Sequence, residues 1–299
     1  MSAVSAVIPL LPIKPQYFGF LNTFGILVAI GVLVAAHLIR NFADREGLDE
    51  DVIQSAIVWA VSVGFVTSHV FDVLFYQPGA IQRDPLILLK FWQGISSVGG
   101  MIGGTLGFLW CIRRINKRDG THHSALRYAD AMAVGVVPGW IFGRLGCTLV
   151  HDHPGKQSDF VLAMVFPDGV ARHDLGFYEF LWLLVIGAVV WALVRWRNRP
   201  TGVIVATAPL MYGPVRFFFD FLRVDRAHGG DTRYFGLTPA HYVSVAITIV
   251  GVALMVYAVK RRGTTSAGAG TAADAEGGRA AGGGGRAKAP ARKARRRNR

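Results

Sequence analysis

Residues 139–156 read GWIFGRLGCTLVHDHPGK, and this stretch decides how the rest of the chain is interpreted. Its first half is as apolar as the middle of a membrane helix, yet Arg144 lies inside it. An arginine at that depth costs on the order of 2.5–3.5 kcal/mol on insertion scales, and such residues usually face a polar cavity. The alternative is that Arg144 lies near a helix end and that its side chain extends to the lipid headgroups. The helix is expected to end in a cluster of polar and helix-breaking residues: His151, Asp152, His153, Pro154 and Gly155.

The whole chain repeats the pattern of long apolar runs between short charged patches. It is 52% hydrophobic and only 17% charged, and several runs approach the length needed to cross a bilayer. This pattern predicts an all-α membrane protein rather than two soluble domains. We expect seven transmembrane helices, with boundaries uncertain by several residues, at about 18–39, 52–75, 91–111, 128–150, 175–196, 201–222 and 242–259.

The short loops predict how these helices are oriented. Basic residues cluster after the third, fifth and seventh predicted helices, which are alternate loops and can therefore all lie on one side of the membrane. The positive-inside rule makes that side cytoplasmic, so the N-terminus is expected outside and the C-terminus in the cytoplasm. The basic residues are Arg113, Arg114, Lys117, Arg118 and Arg127, then Arg195, Arg197 and Arg199, then Lys260, Arg261 and Arg262.

The last 37 residues have a different composition from the rest. Residues 263–299 are rich in Gly, Ala and Arg, with nine basic residues against Asp274 and Glu276. Such a segment cannot bury a core, so we expect a disordered basic tail after a membrane domain at 1–262. The tail could contact anionic lipid headgroups or nucleic acid, or stay solvated; nucleic acid is not an expected partner of the protein. Cys111 and Cys147 are predicted near opposite membrane faces, too far apart for a disulfide.

With this topology, five of the seven helices carry their polar residues at the outer end. Their inner halves are mostly apolar, so we expect a polar cavity that opens to the outer leaflet. Arg216, Asp220 and Arg223 are spaced to share one helix face. The Arg216–Asp220 pair alone would also fit a structural ion pair, and for His69 and Asp72 we expect a local hydrogen-bonded pair. The residues concerned are His69 and Asp72; Gln93, Ser96 and Ser97; Arg144 and residues 151–153; His173, Tyr178 and Glu179; and Arg216, Asp220 and Arg223.

Two arginines at an outer-leaflet cavity indicate recognition of a phosphate. A guanidinium group matches phosphate oxygens with two parallel hydrogen bonds, so Arg144 and Arg216 suit a phospholipid headgroup. Nearby carboxylates and imidazoles are general-base candidates. The residues alone therefore indicate lipid phosphate chemistry or lipid binding. No metal is expected, because two histidines two residues apart are a weak metal signal. The candidate catalytic residues are His151, Asp152, His153 and Asp220.

Four sequence blocks, in order, resemble the bacterial prolipoprotein diacylglyceryl transferases. The family signature G-R-[LIV]-G-N followed by an acidic residue corresponds to residues 143–147 and Asp152, and the H-P-S-Q-L-Y-E segment to residues 173–179. The Y-G-x-x-R-x-x-x-E-F-x-R segment corresponds to residues 212–223, and D-P-L with a later G-G to residues 84–86 and 99–100. The resemblance extends over almost all of the chain from Tyr17 to Val259.

This resemblance implies an enzyme of the bacterial inner membrane that crosses it several times. The family moves the diacylglyceryl group of phosphatidylglycerol to a cysteine thiol of a lipoprotein precursor, without a cofactor. Phosphatidylglycerol, prolipoproteins and surrounding lipids are the expected partners, and no oligomeric state is predicted. The glycines of the third helix suit either close helix packing or space for acyl chains. The substrate-binding candidates are Gly99, Gly100, Gly143, Arg144, Gly146, Cys147, Tyr178, Glu179, Arg216 and Arg223.

The chain also departs from the family pattern. Val98 stands where the family has a histidine before the G-G pair, Phe18 replaces a tyrosine, and Cys147 replaces the signature asparagine. Asp152 and Asp220 replace glutamates. Three interpretations stay open: a working transferase with its base at another position, a divergent paralogue acting on another lipid or acceptor, or a non-catalytic phospholipid-binding protein.

Overall fold

The computed structural model describes residues 8–9, 16–17, 21–77, 79–91, 94–224, 230 and 233–280, with the backbone alone at 16–17, 21 and 262–280. Long helices dominate it. They are α1 (Thr23–Arg45), α2 (Glu50–Phe71), α4 (Ser97–Asp119), α5 (Ala125–Val150), α6 (Leu175–Arg195), α7 (Val203–Phe219) and α8 (Pro239–Ala280). Shorter elements follow α2: a π-helical turn (Asp72–Tyr76), α3 (Ala80–Arg83) and a 3-10 helix (Pro85–Leu89). Another 3-10 turn, Asp220–Leu222, extends α7.

Each of the seven predicted apolar segments corresponds to one long helix. Within the part of the chain that the structure describes, five helices are long and apolar enough to cross a membrane: Thr23–Arg45, Glu50–Tyr76, Ala125–Val150, Leu175–Arg195 and Pro239–Arg261. Large apolar side chains point outward on these helices; Leu33 is 70% and Ile249 63% exposed. An apolar outer surface is costly in water and favourable in hydrocarbon. The chain is therefore a helical membrane protein.

Glycines bring two pairs of helices into backbone contact. A Cβ atom added at Gly31 of α1 would lie 2.5 Å from the Gly139 carbonyl oxygen of α5. One added at Gly103 of α4 would lie 2.5 Å from the Thr67 side chain of α2. Small residues permit this close approach. In lipid no hydrophobic force drives helices together, so close packing stabilises their association instead.

An apolar core fills the space where the helices meet. Ile53, Ala131, Leu183 and Ile204 are completely buried there. Asp130 of α5 caps the start of α7, because its carboxylate accepts hydrogen bonds from the backbone amides of Gly202 at 2.6 Å and of Val205 at 2.9 Å. This buried carboxylate satisfies amide groups that the start of α7 would otherwise leave unpaired.

A small sheet between α5 and α6 was not predicted. Strands β3 (Pro154–Gln157), β4 (Met164–Val165) and β5 (Ala171–Asp174) form an antiparallel sheet in the order β3-β5-β4. Gly169, with φ 78°, turns the chain between β4 and β5. The dipeptide Asp168–Gly169 was therefore the sequence signal for a β-hairpin here. A two-residue pair, β1 (Gln16–Tyr17) with β2 (Leu21–Asn22), precedes α1. The sheet holds together the ends of α5 and α6 that carry the polar residues.

The chain divides into two compact units, Met1–Ala258 and Val259–Arg299. In the second unit the backbone of α8 continues as a helix to Ala280. The predicted boundary at 262 and the disorder of the tail remain predictions.

Candidate functional site

Three helices place charged side chains on one buried carboxylate. Arg144 of α5 binds Glu179 Oε2 of α6 through Nη2 at 2.8 Å. Arg216 of α7 approaches Glu179 Oε1 through Nε at 3.3 Å. Arg144 is 4% exposed, Arg216 9% and Glu179 1%, so water does not screen their charges. Arg144 therefore faces a polar interior, as expected for an arginine inside an apolar helix, and is not directed at the protein surface.

Tyr212 completes this contact and was not among the predicted site residues. Its hydroxyl donates to Glu179 Oε2 and accepts a bond of 3.2 Å from Arg144 Nη2. The side chain is 4% exposed and stacks obliquely on Trp140, with 4.3 Å between ring centroids. The sequence signal was its position four residues before Arg216, one helical turn away on the same face.

Asp220 lies on the far side of Arg216 and is completely buried. Its Oδ1 accepts a hydrogen bond of 2.8 Å from Arg216 Nη1, and Arg223 Nε lies 3.8 Å away. Its Oδ2 accepts from the Thr238 hydroxyl and lies 3.1 Å from His241 Nδ1. The side chains of Arg216, Asp220 and Arg223 thus lie together, as their predicted common helix face requires. Thr238 and His241, which the sequence did not single out, hold its carboxylate from α8 and the loop before it.

A second group of polar residues lies against Arg144. Arg144 Nη1 is 3.3 Å from His153 Nε2 and 4.0 Å from Cys147 Sγ. The other ring nitrogen of His153 bonds the Asp152 carboxylate. Asp152 can accept but not donate when ionised, so Nδ1 carries the proton, and the Nε2 lone pair accepts the hydrogen bond from Arg144 Nη1. The imidazole is therefore arranged as in hydrolase triads, with an acidic residue orienting a basic nitrogen.

His151 belongs to a separate pair. Its Nδ1 lies 3.0 Å from Asp174 Oδ2, and its side chain is 5% exposed. Asp174 also caps α6 by accepting from the Phe177 amide at 2.9 Å. His151 takes φ 51° at the end of α5, a left-handed conformation that is uncommon for a residue with a Cβ. The pair joins the end of α5 to the start of α6. The other ring nitrogen of His151, Nε2, has no hydrogen-bond partner among the described residues.

Tyr178 borders an apolar crevice beside this site. The crevice has a volume of about 460 Å³, and the Tyr178 hydroxyl lies 2.8 Å from His173 Nδ1 at its edge. Burial holds the pKa of His173 below its ordinary value, so this ring is neutral near pH 7. The lining residues are Phe160, Leu162, His173, Tyr178, Leu181, Trp182, Val185, Phe219 and Leu222.

The predicted glycines serve different purposes. Gly143 has open space where a Cβ would lie, whereas one at Gly146 would meet the Phe24 ring at 3.1 Å. A Cβ at Gly99 would lie 2.5 Å from the Phe71 Cβ, and one at Gly100 would approach Ser68 at 3.8 Å. The close contacts of these last two glycines are therefore with α2 and not with the charged cluster.

His69 and Asp72 do not form the expected pair. His69 places its two ring nitrogens 2.9 Å from the Gly94 and Ile87 carbonyl oxygens, and Asp72 accepts from Gln77 at 2.6 Å. Folding brings the segment 87–94 back onto α2, which the local spacing could not reveal. Phe18 and Gln93 lie outside the described residues.

Fold and site together define a class: a helical membrane protein that buries a carboxylate between two arginines, with thiol and imidazole groups beside it. The chain belongs to the prolipoprotein diacylglyceryl transferase family, whose profile matches residues 17–257. The relationship inferred from the four motifs is thereby confirmed.

Several relatives match most of this chain. A protein named phosphatidylglycerol–prolipoprotein diacylglyceryl transferase from Pseudomonas paraeruginosa is 29% identical over 254 residues, 84% of this chain and 91% of its own. A Vibrio cholerae protein of the same name is 30% identical over 248 residues, 80% of this chain and 87% of its own. One from Staphylococcus carnosus is 26% identical over 245 residues, 78% and 85% respectively.

Proposed function

We propose that this chain transfers the diacylglyceryl group of phosphatidylglycerol to the cysteine thiol of a lipoprotein precursor. One observation carries the proposal: the buried Glu179 carboxylate holds the guanidinium groups of Arg144 and Arg216 together in one site. The names of the relatives supply the substrate class. Such a site binds phosphate from a lipid whose acyl chains extend into the membrane.

Glu179 keeps the two guanidinium groups in place before lipid binds. Two like charges this deeply buried would repel each other without a carboxylate between them. Arg144 Nε is buried and has no hydrogen-bond partner among the described residues, so it remains a donor for a phosphate oxygen. The headgroup phosphate thus adds to the cluster beside Glu179, and Tyr212 holds the Glu179 carboxylate in position.

His153 is the proposed base. When Arg144 Nη1 turns from His153 to the phosphate, the Nε2 lone pair takes the proton of the acceptor thiol, and Asp152 stabilises the imidazolium. The thiolate sulfur then bonds the terminal glyceryl carbon of the diacylglyceryl group, and the carbon–oxygen bond to phosphate breaks. Glycerol phosphate leaves with the electron pair of that bond. Arg144 and Arg216 stabilise the charge that develops on the leaving phosphate.

All seven long helices are proposed to cross the bacterial inner membrane, with the site at the outer leaflet. The 17 residues of α7 span about 26 Å at 1.5 Å per residue, close to the ~30 Å hydrocarbon core. The 23 residues of α4 suffice in length, and its glycines are used in packing on α2. The basic segments that follow α4, α6 and the apolar part of α8 support a cytoplasmic C-terminus.

The test is transfer by the purified protein in phosphatidylglycerol vesicles with a cysteine-containing lipoprotein signal peptide. The expected products are the peptide with a diacylglyceryl thioether and released glycerol phosphate, both detected by mass spectrometry. A peptide with serine in place of cysteine, and vesicles of phosphatidylethanolamine alone, should give neither.

Two other results would replace the proposal. Saturable phosphatidylglycerol binding without product would indicate a non-catalytic lipid-binding protein. Transfer that requires a different lipid or acceptor would indicate a divergent paralogue.

A further inference from the structure

Cys147, Asp152 and His153 form a compact group of metal-ligating side chains. One ligand atom from each, the Cys147 sulfur, an Asp152 oxygen and a His153 nitrogen, lies within 4.8 Å of the other two. The spacing of the two nearby histidines did not predict a metal site. The additional ligand is Cys147, which lies one helical turn before the end of α5 and stands where the family signature has asparagine.

The donor types select a particular class of cation. Thiolate, imidazole and carboxylate are the ligands of Zn²⁺ and of the softer Cd²⁺, whereas Mg²⁺ and Ca²⁺ take oxygen ligands. Three protein ligands leave one tetrahedral position open for water. Ionised Cys147 and Asp152 supply two negative charges, which match the charge of the cation.

The surroundings permit a cation despite the nearby guanidinium group. Arg144 lies 4.0 Å from the Cys147 sulfur, but Glu179 compensates its charge at 2.8 Å. Asp152 is exposed and lies in the turn after α5, so its carboxylate can adjust to a metal–ligand distance. Binding releases the thiol proton of Cys147 to solvent and replaces the contact between His153 and Arg144; no oxidation is involved.

We propose that Cys147, Asp152 and His153 form a binding site for a single soft divalent cation, Zn²⁺ or Cd²⁺. The site lies at the end of α5, beside the two-arginine cluster. A bound cation occupies the His153 imidazole, so it also inhibits transfer; this consequence, unlike the binding itself, rests on the proposed function.

The test uses the full chain in detergent, titrated with Cd²⁺ alone and followed by the ultraviolet charge-transfer absorbance of cadmium–thiolate bonds. The wild type should show one saturable cadmium–thiolate site, and Zn²⁺ should displace the cadmium. Cys147→Asn restores the family residue and should abolish the absorbance. Cys111→Ser is the matched control, since it removes the other thiol and should leave the titration unchanged.

His153→Ala provides an independent variant, because it retains both thiols and should weaken Cd²⁺ binding at least tenfold. Absorbance that persists in Cys147→Asn, disappears in Cys111→Ser or is unaffected by His153→Ala would overturn the site. Binding without inhibition of transfer would retain the metal site and count against His153 as the base.

Discussion

At the scale of single residues, the site separates groups that position the arginines from groups that can exchange protons. Asp220 has both oxygens engaged by Arg216 and Thr238 and no exposed surface, so it serves as an anchor rather than a base. His153 has a basic nitrogen beside Arg144, and its partner Asp152 is exposed. The four catalytic candidates therefore separate into a His153–Asp152 pair beside Arg144 and two supporting residues, His151 and Asp220.

Replacing His153 by glutamine should reduce turnover by about 10²–10⁴-fold, the usual contribution of a general base, with little change in phosphatidylglycerol binding. The comparison is His151→Gln, which breaks the contact to Asp174 and should act mainly on stability. The measurement is the rate of peptide modification together with lipid binding for both variants. A larger loss of rate in His151→Gln would assign the base to the His151–Asp174 pair.

Asp220→Asn should destabilise the protein strongly. Removing one partner of a buried ion pair leaves the other charge uncompensated, at a cost of about 3–5 kcal/mol. The measurement is the melting temperature of the purified protein in detergent. Asp168→Asn is the control, because its pair with Arg172 at 2.6 Å is exposed and should change the melting temperature little. Equal melting temperatures for the two variants would show that Asp220 is not an anchor.

At the scale of helices, glycines set how closely α2 and α4 approach. The sequence predicted these helices well, because long apolar runs leave few alternatives to a membrane helix. It predicted the site partly: Arg144, Glu179 and Arg216 follow from motifs and depth. Tyr212 and Asp174 lay inside two of the matched segments, but their roles were not assigned. Thr238 and His241 could not be found, since their roles depend on which helices pack together. The sheet after α5 was missed because its strands are too short for periodicity to show.

Gly103→Ala should separate α2 from α4 and cost about 1–3 kcal/mol, as overpacking does. The new methyl group would lie 2.5 Å from the Thr67 side chain and 2.8 Å from the Val63 carbonyl oxygen. Gly104→Ala is the matched control one residue along the same helix, where the new methyl group would lie 3.4 Å from the nearest atom, the Ala60 carbonyl oxygen. Melting temperatures in detergent compare the two, and an equal loss in both would contradict the packing account.

At the scale of the whole molecule, the charged cluster lies at the ends of α5, α6 and α7 next to the small sheet. The predicted orientation turns this end away from the cytoplasm, toward the outer leaflet. The loop after α4 and the strand β3 then lie on opposite sides of the membrane.

Reporter fusions at Lys117 and Gln157 should therefore report opposite sides, cytoplasmic for Lys117 and external for Gln157. The physical reason is the excess of Arg and Lys in the loop after α4, which is retained in the cytoplasm. Alkaline phosphatase activity and fluorescent-protein emission give complementary signals for each fusion. The same side for both would contradict the topology and the outer-leaflet position of the site.

Arg144 is proposed to recognise the phosphate of the donor lipid. The most direct measurement is diacylglyceryl transfer by Arg144→Lys. Lysine keeps the charge but loses the planar fork. A charge-assisted hydrogen bond contributes about 1.5–3 kcal/mol, so the rate or lipid affinity should fall roughly tenfold to hundredfold. Arg172→Lys, in the exposed pair with Asp168, should stay at the wild-type rate at matched protein concentration. Wild-type transfer by Arg144→Lys would contradict the account.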